Sequence, residues 1–396
     1  MPCPARARVS SVARLSFLPI LLLLVSSLGV AAPAHAQPAW KSVSVGDDHA
    51  CALDAAGRAY CWGNNHAGQL GARTRVRCGI VSESGARSCY PSANDTLPLP
   101  AGGAMRFAAI GAGRYLTCGI DTAGRAFCWG QPMGDTAAYR DRCLHAQPCS
   151  FAPVPLSPAR RFAAVDAHAR CAVAREGTAL CWGHGYREGA TVSTPWSAPV
   201  TAAAGDPESH AFCALGRDGR AFCLGDAAFG VPGNGGRPVE AGPVDGAARF
   251  TGLAVLGNWV CGVDAEGTAR CWGAAGYGDA RGGEARDGFE QCEKYGSPTW
   301  CNRRPAPVTG APRIRSVTAM PRGTMPGVAE MVGLTAAGEA YVWGGDRVAR
   351  RWKPERRWAS VSAGDWGQCG VTTGGELFCW GRDPHEEVQG RIPHPR

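Results

Sequence analysis

CALDAAGRAYCWG, residues 51–63, returns five more times along the chain with its two cysteines ten apart: CGIDTAGRAFCWG from Cys118, CAVAREGTALCWG from Cys171, CALGRDGRAFCLG from Cys213, CGVDAEGTARCWG from Cys261 and CGVTTGGELFCWG from Cys369. A seventh copy, VGLTAAGEAYVWG, begins at Val332, and valine stands at both cysteine positions, Val332 and Val342. The two positions change together, as expected of residues bonded to each other. A lone valine would leave an orphan thiol. Cys51 with Cys61, Cys118 with Cys128, Cys171 with Cys181, Cys213 with Cys223, Cys261 with Cys271 and Cys369 with Cys379 therefore read as disulfides within each repeat.

Each copy reads as a β-hairpin. A short strand runs to a turn ending in Gly57, Gly124, Gly177, Gly219, Gly267, Gly338 or Gly375, where a positive φ is needed, and a second strand ends in Trp-Gly or Leu-Gly. Antiparallel pairing about this turn sets Cys51 opposite Cys61, at a Cα spacing of about 4.5–5.5 Å that a disulfide can span. The residue after the first cysteine position is always Ala or Gly, beside a usually aromatic neighbour such as Tyr60. Two residues after it comes an aliphatic: Leu53, Ile120, Val173, Leu215, Val263, Leu334 or Val371. Both faces are thus fitted for burial, which makes the hairpin the central pair of a sheet stacked between others.

Seven such hairpins in the residues after position 36 give a period of about 51, that of a four-stranded propeller blade. Upstream of each lies a strand-like run, such as residues 41–46 or 106–111. Before that comes a Pro-rich edge segment, such as Pro98-Leu99-Pro100 or Pro153-Val154-Pro155, since proline is tolerated only at sheet edges. The first unit lacks that segment and the C-terminus carries a spare one, Arg391-Ile392-Pro393-His394-Pro395. The sequence thus predicts an all-β, seven-bladed β-propeller, closed by the C-terminal strand pairing into the first blade.

Composition agrees with many tight turns: Gly 55 and Pro 29 without a Gly-X-Y period exclude collagen and disfavour a helical bundle. Residues 1–36 read as a signal peptide: Arg6, Arg8 and Arg14, an apolar run from Leu15 to Val30, and Ala34-His35-Ala36 before Gln37. Its removal takes three arginines and no acid, so the net charge falls from +8 to +5. Cys3 leaves with it, and the remaining 18 cysteines are an even number with no C-x-x-C pair, which suits an exported disulfide protein rather than a metal protein. Residues 37–396 are expected to form the propeller, secreted or periplasmic, monomeric, and free of the membrane once the signal is cleaved.

The motif set resembles the regulator of chromosome condensation repeat family. Val45-Gly46-Asp47-Asp48-His49, then Leu53, Gly57, Trp62-Gly63-Asn64-Asn65 and Gly68-Gln69-Leu70-Gly71 match its pattern in unit one. Gly-Gln-Leu-Gly is lost in the other units and Leu224 replaces a tryptophan. The resemblance implies a seven-bladed propeller, and a packing role for His49. The founding nuclear member is a guanine nucleotide exchange factor that binds chromatin, an activity that export and disulfides argue against here. Secreted bacterial propellers of the family inhibit β-lactamases, which makes a secreted enzyme inhibitor an alternative.

No catalytic, cofactor or metal motif is present: there is no H-E-x-x-H, G-x-S-x-G, P-loop or EF-hand spacing. Asp47-Asp48 read as solvated turn residues, and Asn94-Asp95-Thr96 is a sequon with meaning only in a eukaryotic secretory route. The expected function is a non-catalytic binding module recognising an extracytoplasmic protein or an anionic envelope polymer, with no nucleic acid and no cofactor. Three further pairs, Cys78 with Cys89, Cys143 with Cys149 and Cys292 with Cys301, fall in the hairpin intervals of 67, 53 and 71 residues, the longest three of the six. Stapled insertions on one rim follow, either as protection from proteases or as a preorganised binding surface. Tyr90, Phe151, Phe289, Tyr295 and Trp300 in or beside them are candidate anchors. A second candidate is the stretch Arg303 to Arg357, where 11 basic residues face four acids, with Arg350 and Arg351 as its candidate binding residues.

Overall fold

The computed structural model describes residues 39–73, 76–80, 87–91, 95–132, 139, 141–143, 148–181, 199–206, 209, 211–235, 241–274, 290–294, 297–321, 330–365, 367–380 and 391–395. Seven antiparallel sheets follow one another as the blades of a β-propeller. In blade one the order from the axis outward is Trp40–Val45, His49–Asp54, Ala59–Gly63 and Asp95–Ala101. The first strands of all seven blades line a central channel. Among the described residues, no helix is long and apolar enough to cross a membrane.

The hairpin repeat occupies the middle of every blade. The second strands His49–Asp54, Leu116–Asp121 and Trp259–Asp264 are buried at every residue, which explains why both of their faces are apolar. Cys51 lies opposite Cys61 in register, and the hydrogen bond from Asp54 N to Arg58 O (3.0 Å) closes the turn. Counting back from that bond makes the cysteines a non-hydrogen-bonded pair, the closer of the two kinds.

All six hairpin disulfides form as the repeat predicts. Cys51 bonds Cys61, Cys118 bonds Cys128, and Cys171 bonds Cys181. Cys213 bonds Cys223, Cys261 bonds Cys271, and Cys369 bonds Cys379. In each the Cα atoms are 4.1 Å apart, somewhat tighter than an unbridged pair. Five of the six bridges are fully buried, with Cys181 the most accessible of the twelve sulfurs' residues at only 4% exposure, so they act as core as well as cross-links. Val332 and Val342 oppose each other in the same register and are buried.

The small residue after the first cysteine makes room for a ring not visible in the hairpin itself. A Cβ on Gly119 would come within 2.6 Å of Phe107, and one on Gly370 within 2.5 Å of Trp358. These aromatics open the first strands of their own blades, and both are buried. Ala52 does face Tyr60, but the size restriction comes from the neighbouring strand.

Two expectations are corrected. The Pro-rich segments pair with the hairpin before them, not the one after: Leu99 lies opposite Cys61, and Val154 opposite Cys128. Blade one therefore owns a fourth strand, and the C-terminal strand does not pair into it. Arg391–Ile392 instead pairs with Leu377–Trp380 as the fourth strand of blade seven. Proline at a sheet edge is compatible with either phase, so the pattern alone could not choose.

Closure needs no exchanged strand because every joint carries its own bond. The N–H opening each first strand donates to the turn-glycine carbonyl of the preceding blade: Phe107 to Gly57 (2.8 Å), Phe162 to Gly124 (2.7 Å), Val200 to Gly177 (2.9 Å), Phe250 to Gly219 (2.7 Å), Ile314 to Gly267 (2.8 Å) and Trp358 to Gly338 (2.7 Å). The last joint repeats it, Trp40 to Gly375 (2.9 Å). Side chains of the tail add to this seam: the His394 ring lies 4.6 Å from Trp40 and 4.9 Å from Tyr60, and Ile392 joins the core that blades one and seven share.

Candidate binding face

Antiparallel order fixes which loops share an end of the ring. In each blade, the connections from first to second and from third to fourth strand lie at one end; the turn glycines lie at the other. All three insertions that carry an extra cysteine pair interrupt the connection from third to fourth strand, in blades one, two and five. In blade one Val76–Ile80 pairs with Arg87–Pro91, with Cys78 opposite Cys89 along the backbone; their side chains and that of Tyr90 lie outside the described residues. In blade two Cys143 bonds Cys149, and Asp141–Arg142 adds to the fourth strand. In blade five Cys292 bonds Cys301 within a hairpin of Glu290–Lys294 and Ser297–Pro307.

The insertions are tied to the ring. Arg73 of blade one pairs with Asp141 of blade two at 2.7 Å and covers the Phe151 ring at 5.1 Å. Arg303 pairs with Glu290 at 3.0 Å and donates to the Ala227 carbonyl at 3.0 Å, linking blade five's insertion to the short 3-10 helix Ala227–Phe229 of blade four. Bridged and tied to a neighbouring blade in this way, the insertions of blades two and five have little conformational freedom left to lose on binding.

Beneath the insertions, Gly68-Gln69-Leu70-Gly71 caps the tryptophan of the next blade. Trp129 Nε1 donates to the Gln69 carbonyl at 3.0 Å, and a Cβ on Gly71 would lie 2.7 Å from that nitrogen. Blade four builds the same joint from Gly230-Val231-Pro232-Gly233: Trp272 Nε1 donates to the Val231 carbonyl at 3.0 Å, and a Cβ on Gly233 would lie 2.8 Å from it. The glycine frame is therefore kept in blade four although Gln-Leu has become Val-Pro. The spacing Gly-x-x-Gly ahead of the next blade's Trp-Gly was the available signal.

His49 is buried behind the same cap. Thr117 Oγ1 donates its proton to the Gln69 carbonyl (2.8 Å), so at 2.7 Å it must accept one from His49 Nε2. Burial holds this imidazole neutral, with its pKa lowered to about 3. The ring joins blades one and two, which bears out a packing role for it.

A charged group stands at the mouth of the channel on this end. Asp47 Oδ1 lies 3.4 Å from His168 Nδ1, and Asp47 Oδ2 lies 3.9 Å from Arg114 Nε. Burial would raise Asp47, but His168 and then Arg114 hold it below its ordinary value. Burial likewise opposes protonation of His168, yet Asp47 outweighs it and lifts the imidazole to about 9. Behind this mouth the channel encloses about 320 Å³ and is lined largely by small apolar residues, among them Ile110, Gly111, Ala112 and Ala167.

The regulator of chromosome condensation (RCC1) repeat matches residues 40–69, the first three strands of blade one and its Gly-Gln cap. Blade one of this chain thus carries an RCC1 repeat. No curated protein matches the sequence at a significant level. Among solved structures, Prp20p from Saccharomyces cerevisiae, described with its binding to Gsp1p and histones, is similar at 16% identity over 89% of this chain and 82% of that one, with a TM-score of 0.59. The ectodomain of the receptor kinase CR4 from Physcomitrella patens is similar at 19% identity over 86% of this chain and 72% of that one, with a TM-score of 0.50. At these identities the likeness to both is one of fold.

In this propeller the other candidate residues do not converge. Phe289 and Tyr295 lie outside the described residues, and Trp300 is half-buried in the blade-five hairpin. Arg350 and Arg351 sit in the fourth strand of blade six, about half exposed, and both are paired: Arg350 with Asp346 at 2.5 Å, Arg351 with Glu339. Arg357 also reaches Glu339 (3.4 Å), and Arg304 reaches Asp245 (3.4 Å), outside the stretch. The basic run is contiguous in sequence but spread over both ends of blades five to seven, and six of its ten described members are in ion pairs.

Proposed function

We propose that this RCC1-repeat propeller is an exported, non-catalytic binding module whose protein partner docks on the end carrying the stapled insertions. The observation behind this reading is the shared location of the three insertions, all between third and fourth strands, at the end where the Asp47–His168 group opens onto the channel. Eight disulfides among the described residues favour an oxidising compartment, in keeping with a signal peptide at 1–36. Protein recognition is known on this fold from Prp20p.

The test places a photo-crosslinking residue at Trp300 or Phe151 on the insertion end, and at Arg106 on the turn-glycine end. Partner adducts from envelope extract are expected at the first two positions and not at Arg106. Trp300→Ala should weaken capture with thermal stability nearly unchanged. Adducts at Arg106 alone, or capture abolished by charge reversal at Arg350 and Arg351 while Trp300→Ala is silent, would move the site elsewhere.

A further inference from the structure

Two arginines from neighbouring blades flank the channel mouth in an arrangement the fold itself does not require. Arg114, in the first connection of blade two, has its guanidinium over the Tyr115 ring at 5.2 Å, and Tyr115 packs against His66 at 5.2 Å, so it is held in place. Arg170 ends the equivalent connection of blade three. It is half-buried and within electrostatic reach of both Arg114 and Asp47. Among the described residues it makes no hydrogen bond or ion pair, and its backbone sits at φ 52, a left-handed conformation that arginine rarely adopts. A like-charged neighbour, burial and backbone strain all act against Arg170, and against them stands only the attraction of Asp47, which Arg170 does not bond and which His168 already engages. Such a combination is expected where a side chain is kept for a ligand.

The carboxylates nearby are already engaged. Asp47 is shared with His168, Asp166 Oδ1 accepts from Ala169 N at 2.9 Å, and Asp206 Oδ2 accepts from Gly257 N at 2.8 Å. These three acids limit the charge a ligand can bring, which favours a monoanion over a phosphate dianion. The small apolar lining of the channel suits the aliphatic stem of an acidic side chain.

We propose that Arg114 and Arg170 form a receptor for a single carboxylate, the Asp or Glu side chain of a protein docked on the insertion end, inserted at the channel mouth. This rests on the reading of that end as the docking face. A planar guanidinium pair suits a carboxylate because each can donate two parallel N–H bonds.

The test follows arginine Nε–Hε resonances of the ¹⁵N-labelled protein during titration with acetyl-Gly-Glu-Gly-amide, its Gln counterpart and inorganic phosphate. The Glu peptide is expected to give saturable shifts that the Gln peptide does not. Arg170→Gln and Arg114→Gln should each weaken binding about tenfold or more, while Arg106→Gln at the opposite end leaves it unchanged. Arg170→Gly removes the side chain and the backbone strain together, so it should lose binding with a Tm equal to or above the parent's. Equal binding of the Gln peptide, tighter binding of phosphate, a silent Arg170→Gln or an equal loss in Arg106→Gln would each overturn the receptor. The titration needs no partner. Its failure alongside intact crosslinking at Trp300 would remove the receptor and leave the docking face standing.

Discussion

Gly71→Ala tests the joint that supports the proposed face. Gly71 has φ +65, and an added Cβ would lie 2.7 Å from Trp129 Nε1 and 3.0 Å from its Cδ1. The ring is fully buried and its N–H is bonded to the Gln69 carbonyl, so it cannot withdraw without leaving that N–H unpaired; the carbonyl keeps its bond from Thr117. The left-handed backbone costs alanine about 1–2 kcal/mol, of which about 0.4–1 is returned by a less flexible unfolded chain. Overpacking adds about 1–3 kcal/mol, and a broken buried hydrogen bond about 1–3 more. Partial relaxation makes the last two overlap, so the expected loss is about 3–5 kcal/mol. Gly103 supplies the control, with φ +60 and nothing within 4 Å of its Cβ. Gly103→Ala should cost about 1 kcal/mol or less, leaving a difference of about 2–4 kcal/mol for the joint alone. Gly233→Ala in blade four should match Gly71→Ala, because its Cβ would meet Trp272 in the same way. Urea unfolding with disulfides intact, followed by tryptophan fluorescence at constant m, measures all three. If Gly71→Ala and Gly103→Ala differ by less than about 1 kcal/mol, backbone conformation and not the tryptophan cap explains the motif.

Replacing Cys51 and Cys61 together by valine, as in blade six, should cost about 2–3 kcal/mol of loop-closure stabilisation, and Cys51→Ser alone should cost more; a cheaper serine variant in urea melts would count against the cross-strand packing. Thr117→Val leaves the His49 Nε2–H without its acceptor and should destabilise by about 1–3 kcal/mol, with Thr117→Ser restoring most of it; equal melts for Val and Ser would remove the assigned tautomer. Stability against pH should fall on both sides of about 6.5. His49, at about 3 in the folded state, binds its proton more readily unfolded, so its contribution is complete above pH 6.5 and is lost as pH falls towards 3. His168, at about 9, contributes fully below pH 6.5 and loses that contribution as pH rises through 9. His168→Gln should flatten the alkaline limb of the urea midpoint and leave the acid limb, and an unchanged alkaline limb would exclude the Asp47–His168 pair as its source. Cysteines placed at Phe378 and Arg391, directly opposed in blade seven, should bridge on oxidation, and a bridge from position 391 to blade one instead would restore strand exchange.

The hairpins, their disulfides and the seven-fold count were legible in the sequence because each is a local property. A ten-residue cystine, a turn glycine and period-two burial all act within one blade, and the paired replacement by Val332 and Val342 betrays the bond without any neighbour in view. The one-ended placement of the insertions was legible too, since antiparallel order fixes the end once the strands are counted. Relations between blades were not. A Pro-rich edge strand is equally at home before or after a hairpin, so only the pairing of Arg391–Ile392 with Leu377–Trp380 decided how the ring closes. The turn glycines could be read for their φ, but their carbonyls' role in every joint depends on a strand from the next blade. The channel mouth was hidden for the same reason. Asp47, Arg114, His168 and Arg170 belong to three blades and share no motif, whereas Arg350 and Arg351 looked like a site because charge was counted along the chain. Electrostatic interaction follows distance in space, and in a propeller the nearest charges come from the next blade's loop as often as from the same strand.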